Sequence, residues 1–307
     1  MKIYFVFSSH FGHILREENC RILVSFANVK RTIDLNQYYG FIPKLPEGFP
    51  EILIDSGGYQ LQTGVRTSMR ISVSEYSRWL IDALDKYPEI VGYMNLDILN
   101  DPLETMNNQF RIESEGLKPV PTWHDSDPQE FLSFYCSHYE WVAIGGLVGK
   151  RALGKRYITN LCNWMHQEYP GIKFHLFGIG ISGALGYQQS SPYSCDFSTW
   201  STVSRYGHAI VNRKTDPQYF TPGDGGQLIK EIMLPLNIRK KLLATVEVID
   251  KSWNEYNPDE PRMKNIKNID HDLILHEQLT REAVVNIKMF ENQINEKSGK
   301  EYQGLLV

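Results

Sequence analysis

Cysteine is scarce in this chain. Cys20, Cys136, Cys162 and Cys195 are the only four in 307 residues, and no two share a paired spacing. That excludes a disulfide scaffold and a sequence-local Cys-rich zinc site, and it fits a reducing compartment. Long apolar runs are absent too: none approaches the ~18 residues that a membrane helix needs. The apolar stretch Ile3–Phe7 is too short for a signal-peptide core and has no small-residue cleavage site after it. The expectation is a cytoplasmic protein without membrane contact. Positive charge is not in excess, because 32 Lys+Arg stand against 36 Asp+Glu for a formal net charge of −4. A globally basic nucleic-acid coat is excluded, while a local basic patch is not. Walker A, Gly-x-Gly-x-x-Gly and His-Glu-x-x-His sequences do not occur. Nucleoside triphosphate, NAD and helix-borne metal chemistry therefore have no motif behind them, and the expectation is no cofactor and no metal.

What the sequence has is alternation. Short β-rich runs are read at Ile3–Phe7, Ile22–Phe26, Ile52–Asp55, Gly92–Asp97, Pro119–Trp123, Trp141–Gly145, Lys173–Gly178 and Ser194–Phe197. Several are nearly continuous apolar runs, as strands buried on both faces require. Between them lie helical patterns. Ser74 to Tyr87 starts at a Ser cap and stops at Pro88; Asp101-Pro102 and Asp127-Pro128 open two more; Arg156 to Tyr169 stops at Pro170-Gly171. Strand–helix alternation implies right-handed βαβ units and a parallel sheet. Eight strands predict a TIM-type (β/α)8 barrel with additional C-terminal helices, and an open doubly wound sheet is the second choice. The barrel is assigned to residues 1–220. Residues 221–307 are read as C-terminal helices packed on it in the same domain, after a turn-rich break at Thr221–Gly226. These helices span Gln227 to Trp253 and Asp270 to Glu296, with an Asn257–Pro261 linker between them.

In parallel α/β folds, functional side chains gather at the carboxyl ends of the strands. Here those ends carry Asp55, Asp97, His124, Gly145-Gly146 and Asp196. A strand-end Asp also serves as an ordinary helix or turn cap; three of them at equivalent positions point to one shared mouth. Asp55-Ser56-Gly57-Gly58-Tyr59 is the most specific local element: a carboxylate at a tight turn whose backbone lets a flat ligand approach closely. Its bland reading is a glycine turn with an Asx bond. Tyr59 and Phe177 are candidates to stack on a planar base, or else core aromatics. Gly145-Gly146 offers N–H groups to a carbonyl oxygen, or else close strand–helix packing. His10 and His13 read as structural or solvent-facing. Lys150-Arg151, Lys155-Arg156, Arg205 and Arg213-Lys214 are candidates for a phosphate-binding surface.

Four segments, in order, resemble signatures of the queuine/archaeosine tRNA-guanine transglycosylases. They are Asp55-Ser-Gly-Gly-Tyr-Gln60, Ala143-Ile-Gly-Gly-Leu147, His175-Leu-Phe-Gly-Ile-Gly180, and Cys195-Asp196 through Arg205-Tyr-Gly207. The resemblance implies a TIM-type barrel and assigns roles by position. Asp196 matches the nucleophile that attacks the sugar C1′. Asp55 matches the acid/base for the departing and arriving base. Asp97 matches the carboxylate that reads the guanine N1/N2 edge. The Gly145-Gly146 backbone matches the contact to the base carbonyl, Tyr59 and Phe177 the aromatic sandwich, and Arg205 an Arg beside the nucleic-acid backbone.

Two departures shape the expectation. The strand-five signature of the family supplies a Gln where this chain has Trp123-His124-Asp125, so His124 takes the base-reading place. The family's C-terminal Cys-rich zinc site is missing, since no Cys follows Cys195. The pattern is therefore most similar to the DNA-modifying branch, the phage and bacterial DpdA-type 7-deazaguanine transglycosylases. That implies DNA and a 7-deazaguanine base such as 7-cyano-7-deazaguanine as partners, an accessory helicase-like protein as a further one, and the host cytoplasm as the setting if the chain is phage-encoded. The alternatives are a tRNA-guanine transglycosylase without its zinc site, a non-catalytic nucleic-acid-binding barrel and a nucleoside hydrolase.

Overall fold

The computed structural model describes residues 1–9, 11–30, 45–58, 71–147, 154–179, 191–202, 209–213, 216–220, 277 and 280–296. Tyr59, His10, Arg205, Lys150-Arg151, the 221–226 break, the helix over 227–253 and the 257–261 linker lie outside them. The chain divides into two units. The first takes in Met1–Phe7, Leu15–Ile179 and Ser190–Phe197; the second takes in Ser8–Ile14, Gly180–Gln189 and Ser198–Val307.

The first unit is an α/β sheet of eight parallel strands: β1 (Lys2–Val6), β2 (Ile22–Ser25), β3 (Ile52–Asp55), β4 (Ile90–Tyr93), β5 (Thr122–His124), β6 (Trp141–Gly145), β7 (Lys173–Leu176) and β8 (Ser194–Phe197). Their order is β4-β3-β2-β1-β8-β7-β6-β5, with every pairing parallel. The residues just after β4 and just before β5 come together at one isolated bridge. Met94 and Val120 form one parallel bridge, in which the Val120 N–H donates to Tyr93 O at 2.8 Å and the Asn95 N–H to Val120 O at 2.9 Å. An apolar cluster draws on β1, β2, β3 and β6 and on the residues flanking β4, β5 and β7: Tyr4, Leu23, Leu53, Met94, Val120 and Ala143, with Val6, Trp141 and Phe177 packed against it. The opposite face of the sheet is buried as well, at Ile3, Phe5, Ile22, Ile52, Ile54 and Val142. That explains why the strands read as unbroken apolar runs.

Helices α1 (Gly12–Glu17), α2 (Val73–Lys86), α3 (Pro102–Ser114), α4 (Gln129–His138) and α5 (Gly154–Glu168) lie between strands in the sequence, and residues 26–30 are helical after β2. Two helix starts differ from the sequence reading. The cap of α2 is Ser72, not Ser74: its Oγ accepts the Glu75 N–H at 3.2 Å. Asp101 caps α3 as expected, with Pro102 in the first turn. Asp127 does not cap α4, whose N-terminus is Pro128 without a side-chain hydrogen bond; its carboxylate turns back to the His124 N–H at 3.0 Å.

The fourth strand ends at Tyr93 rather than Asp97, for a local reason. Beyond Asn95 the backbone is held by α3 side chains. Asn108 Nδ2 donates to Leu96 O at 2.9 Å, and the Ile98 N–H donates to Thr105 Oγ1 at 2.9 Å. Asn95 Nδ2 in turn donates to Thr105 O at 2.8 Å. Polar residues inside a helix are usually a weakness, but here they satisfy buried backbone groups that would otherwise be costly.

In the second unit, α6 (Thr199–Thr202) is followed by an antiparallel pair, β9 (Ala209–Arg213) and β10 (Asp216–Phe220). This hairpin is absent from the sequence reading. A helix covers residues 280–296, inside the expected span; its Ala283, Val284, Ile287, Phe290 and Ile294 are buried. Among the described residues, no helix is long and apolar enough to cross a membrane.

Candidate functional site

The strand ends bring four of the expected residues together in the first unit: Asp55, Asp97, His124 and Asp196. Asp55 is the last residue of β3 and stands opposite Ser25 in register. Its carboxyl is pushed up to about 7. Loss of water is the main cause, the charge of Asp97 the next, and the charge of Asp196 adds to it; the Gly57 N–H and Ser25 hydroxyl pull the other way. The three acids therefore share one electrostatic field.

Asp97 is anchored on both oxygens. Ser56 Oγ donates to Oδ1 at 2.9 Å, and His124 Nε2 lies 3.0 Å from Oδ2. The other ring nitrogen of His124, Nδ1, is 3.3 Å from Asp127 Oδ2. His124 is only 3% exposed. Burial pulls its pKa down, but the hydrogen bonds and charges of Asp127 and Asp97 outweigh that and hold it at about 9.

Two glycines make room for this pair. A Cβ on Gly58 would come within 2.6 Å of Asp97 Oδ1, and one on Gly145 within 2.6 Å of His124 Cδ2. Gly145 is the register partner of His124, so close packing explains its lack of a side chain. Gly146 is exposed at φ 77°, and the neighbouring Asp125 accepts a short hydrogen bond from Tyr157.

On the other side, Asp196 is 6% exposed. Its Oδ1 is held by the Gly178 N–H at 3.1 Å and faces His175 Nε2 at 3.3 Å. The turn at Gly178 has φ 58°, left-handed backbone that a glycine adopts readily. His175 is fully buried, and its Nδ1 is 2.9 Å from Ser194 Oγ, its partner in register across β7 and β8. Among the described residues, Asp196 Oδ2 has no partner. Phe177 meets the His175 ring edge-on at 4.9 Å and packs on the core cluster. Tyr76 of α2, whose hydroxyl donates to Met94 O at 2.8 Å, is buried within the field of Asp55 and Asp97.

Sequence reasoning placed Asp55, Ser56, Asp97, His124 and Asp196, but not the residues that hold them. Asp127 looked like a helix opener; its signal was the His-x-x-Asp spacing to His124. His175 and Ser194 are legible only once β7 and β8 are set side by side. Among the described residues, no group of three or more His, Cys, Asp or Glu is arranged to hold a metal ion. No protein family matches this chain, and no curated protein matches it either.

Proposed function

We propose that the chain is a base-exchange transglycosylase that replaces guanine in DNA with a 7-deazaguanine through a covalent aspartyl–sugar intermediate. One observation carries the reading: two strand-end carboxylates stand in unlike settings within one field. Asp196 has one oxygen fixed by a backbone N–H and an imidazole, and the other has no partner among the described residues. Asp55 is held near neutrality, at about 7. Carboxylates in such unlike settings divide into a nucleophile and an acid/base, as in retaining glycoside chemistry. The ordered sequence signatures point to the same pair.

In the reaction, Asp196 Oδ2 attacks the sugar C1′ while the bond to guanine breaks. Asp55 delivers its proton to the departing base. The incoming 7-deazaguanine then loses a proton to Asp55, and its ring nitrogen displaces Asp196 from C1′. Both carboxyl groups return to their starting state. Asp97 faces the N–H edge of the base, Gly145-Gly146 its carbonyl, and Phe177 with Tyr59 its faces. Arg205 contacts the phosphate backbone. A guanine in duplex DNA must be flipped out, at a cost of roughly a few kcal/mol, and a helicase-like partner would lower that cost. The same reading takes the eight strands as a closed TIM-type barrel, which the Met94–Val120 bridge supports.

The experiment is incorporation of labelled guanine or 7-cyano-7-deazaguanine into duplex DNA, single-stranded DNA and tRNA side by side. Asp196-dependent label in DNA is the expected result. Label in tRNA alone returns the chain to the tRNA branch, and label in none removes the catalytic reading for the isolated chain.

A further inference from the structure

At His124 the number of protons decides the chemistry. Both ring nitrogens face carboxylate oxygens, Asp97 Oδ2 at 3.0 Å and Asp127 Oδ2 at 3.3 Å. A neutral imidazole carries one N–H. Between two ionised carboxylates it would turn a nitrogen lone pair toward an oxygen. The geometry therefore needs one proton more than a neutral ring supplies.

The surroundings put that proton on the ring. Asp127 Oδ2 also accepts the His124 backbone N–H at 3.0 Å, and Asp97 Oδ1 accepts the Ser56 hydroxyl at 2.9 Å. Both acids are thus engaged as acceptors. The ring cannot swing away, because it is buried and lies against the Gly145 backbone. Its raised pKa agrees. Among the described residues, the charged groups facing the ring are Asp97 beyond β4 and Asp127 beyond β5. Asp97 in turn feels Asp55 at the end of β3 and the Tyr76 phenol of α2.

We infer that His124 is a positioning residue: an imidazolium clamped between Asp97 and Asp127, which fixes Asp97 as an acceptor-only carboxylate and so selects ligands that present N–H donors to it. Asp127 is the third member of the device. The ligand-selecting part rests on the proposed role of Asp97; the clamp does not. A neutral ring would leave Asp97 free to take a proton, and a protonated Asp97 would accept carbonyl-bearing edges as readily as N–H edges.

The test is long-range 1H–15N NMR of the full chain labelled at its histidine nitrogens, with the His124 signal assigned by its loss in His124→Gln. The expected result at pH 7.5 is a ring protonated on both nitrogens. In Asp127→Asn the His124 midpoint falls by about one unit or more, since one of its two anions is gone. A neutral tautomer at pH 7.5, or a midpoint unmoved in Asp127→Asn, overturns the clamp. Calorimetric binding of guanine tests the selection. His124→Gln keeps an N–H for Asp97 but loses the charge, and weakens guanine binding about tenfold or more; undiminished binding overturns the selecting role. If the unaltered chain binds no guanine-type base, the transglycosylase reading falls, while the NMR result still decides the clamp.

Discussion

The position that a Gly58 side chain would occupy is already filled by Asp97: a Cβ there would lie 2.6 Å from Oδ1 and 2.8 Å from the Asp97 backbone oxygen. Rotating the Asp97 side chain relieves only the first of these. Gly58→Ala must therefore shift the Asp97 backbone or its own turn. Overpacking of this kind costs about 1–3 kcal/mol. The expected outcome is a lower urea midpoint together with lost guanine binding. Binding at the original affinity would show that Asp97 does not face the ligand.

Asp196→Ala is expected to abolish base exchange while the fold persists. The substitution leaves the Gly178 N–H and His175 Nε2 without their acceptor, at about 1–3 kcal/mol. Asp196→Asn retains an oxygen for them and should recover most of that stability, but no turnover. Label incorporation and circular dichroism on the two variants separate the effects. Residual exchange in Asp196→Asn would remove the nucleophile assignment.

Asp55 links stability to pH. Its pKa is raised from the ordinary 3.8 to about 7, so the folded chain binds this proton more tightly than the unfolded chain. Stability therefore falls as pH rises from about 4 to about 7, and the penalty is complete above that, at most about 4 kcal/mol. Asp55→Asn should be inactive, yet more stable than the parent at pH 8, with the difference shrinking toward pH 4. Denaturant titrations at the two pH values check this; equal stability at pH 8 would contradict it.

His124 acts in a separate window. Its pKa is raised from 6.5 to about 9, so its contribution is fully present below about pH 6.5 and is lost as pH passes 9. The size is at most about 3 kcal/mol. His124→Gln should flatten the stability profile between pH 6.5 and 9 and leave the Asp55 window in place. Melting curves across that range decide it.

Thr105 is a remote test of the site. Its hydroxyl accepts the Ile98 N–H and donates to Asp101 O, which anchors the segment carrying Asp97. Thr105→Val is nearly isosteric but orphans a backbone N–H, at about 1–3 kcal/mol. Weakened guanine binding, with the α3 cap at Asp101 intact, is the expected readout.

Residues with a strong local pattern were legible in the sequence. Trp141–Gly145 and Ser194–Phe197 are strands at the bounds expected; for the first, an unbroken apolar run between breakers has few other solutions. The strand-end rule then located Asp55, Asp97, His124 and Asp196. What escaped depends on contacts distant in sequence. Nothing within Gly92–Asp97 announces that Asn108 and Thr105 will supply hydrogen-bond partners there. Asp127 carries a good capping sequence and is drawn away by His124. The alternating residues of β9 and β10 lack the usual two-residue Gly turn, so the hairpin gave little local signal.

The sheet's seam has a consequence for how the molecule opens. The segments just after β4 and just before β5 meet through one backbone bridge, whereas β4 with β3 and β5 with β6 are each joined by three register pairs. The His124–Asp97 ion pair spans that same seam, since Asp97 follows β4 and His124 ends β5. Side chains thus stitch the two strands where the backbone does so least. Alkaline loss of the imidazolium charge should then accelerate amide hydrogen exchange at Asn95 and Val120 ahead of the other strands, a local unzipping that begins beneath the site itself.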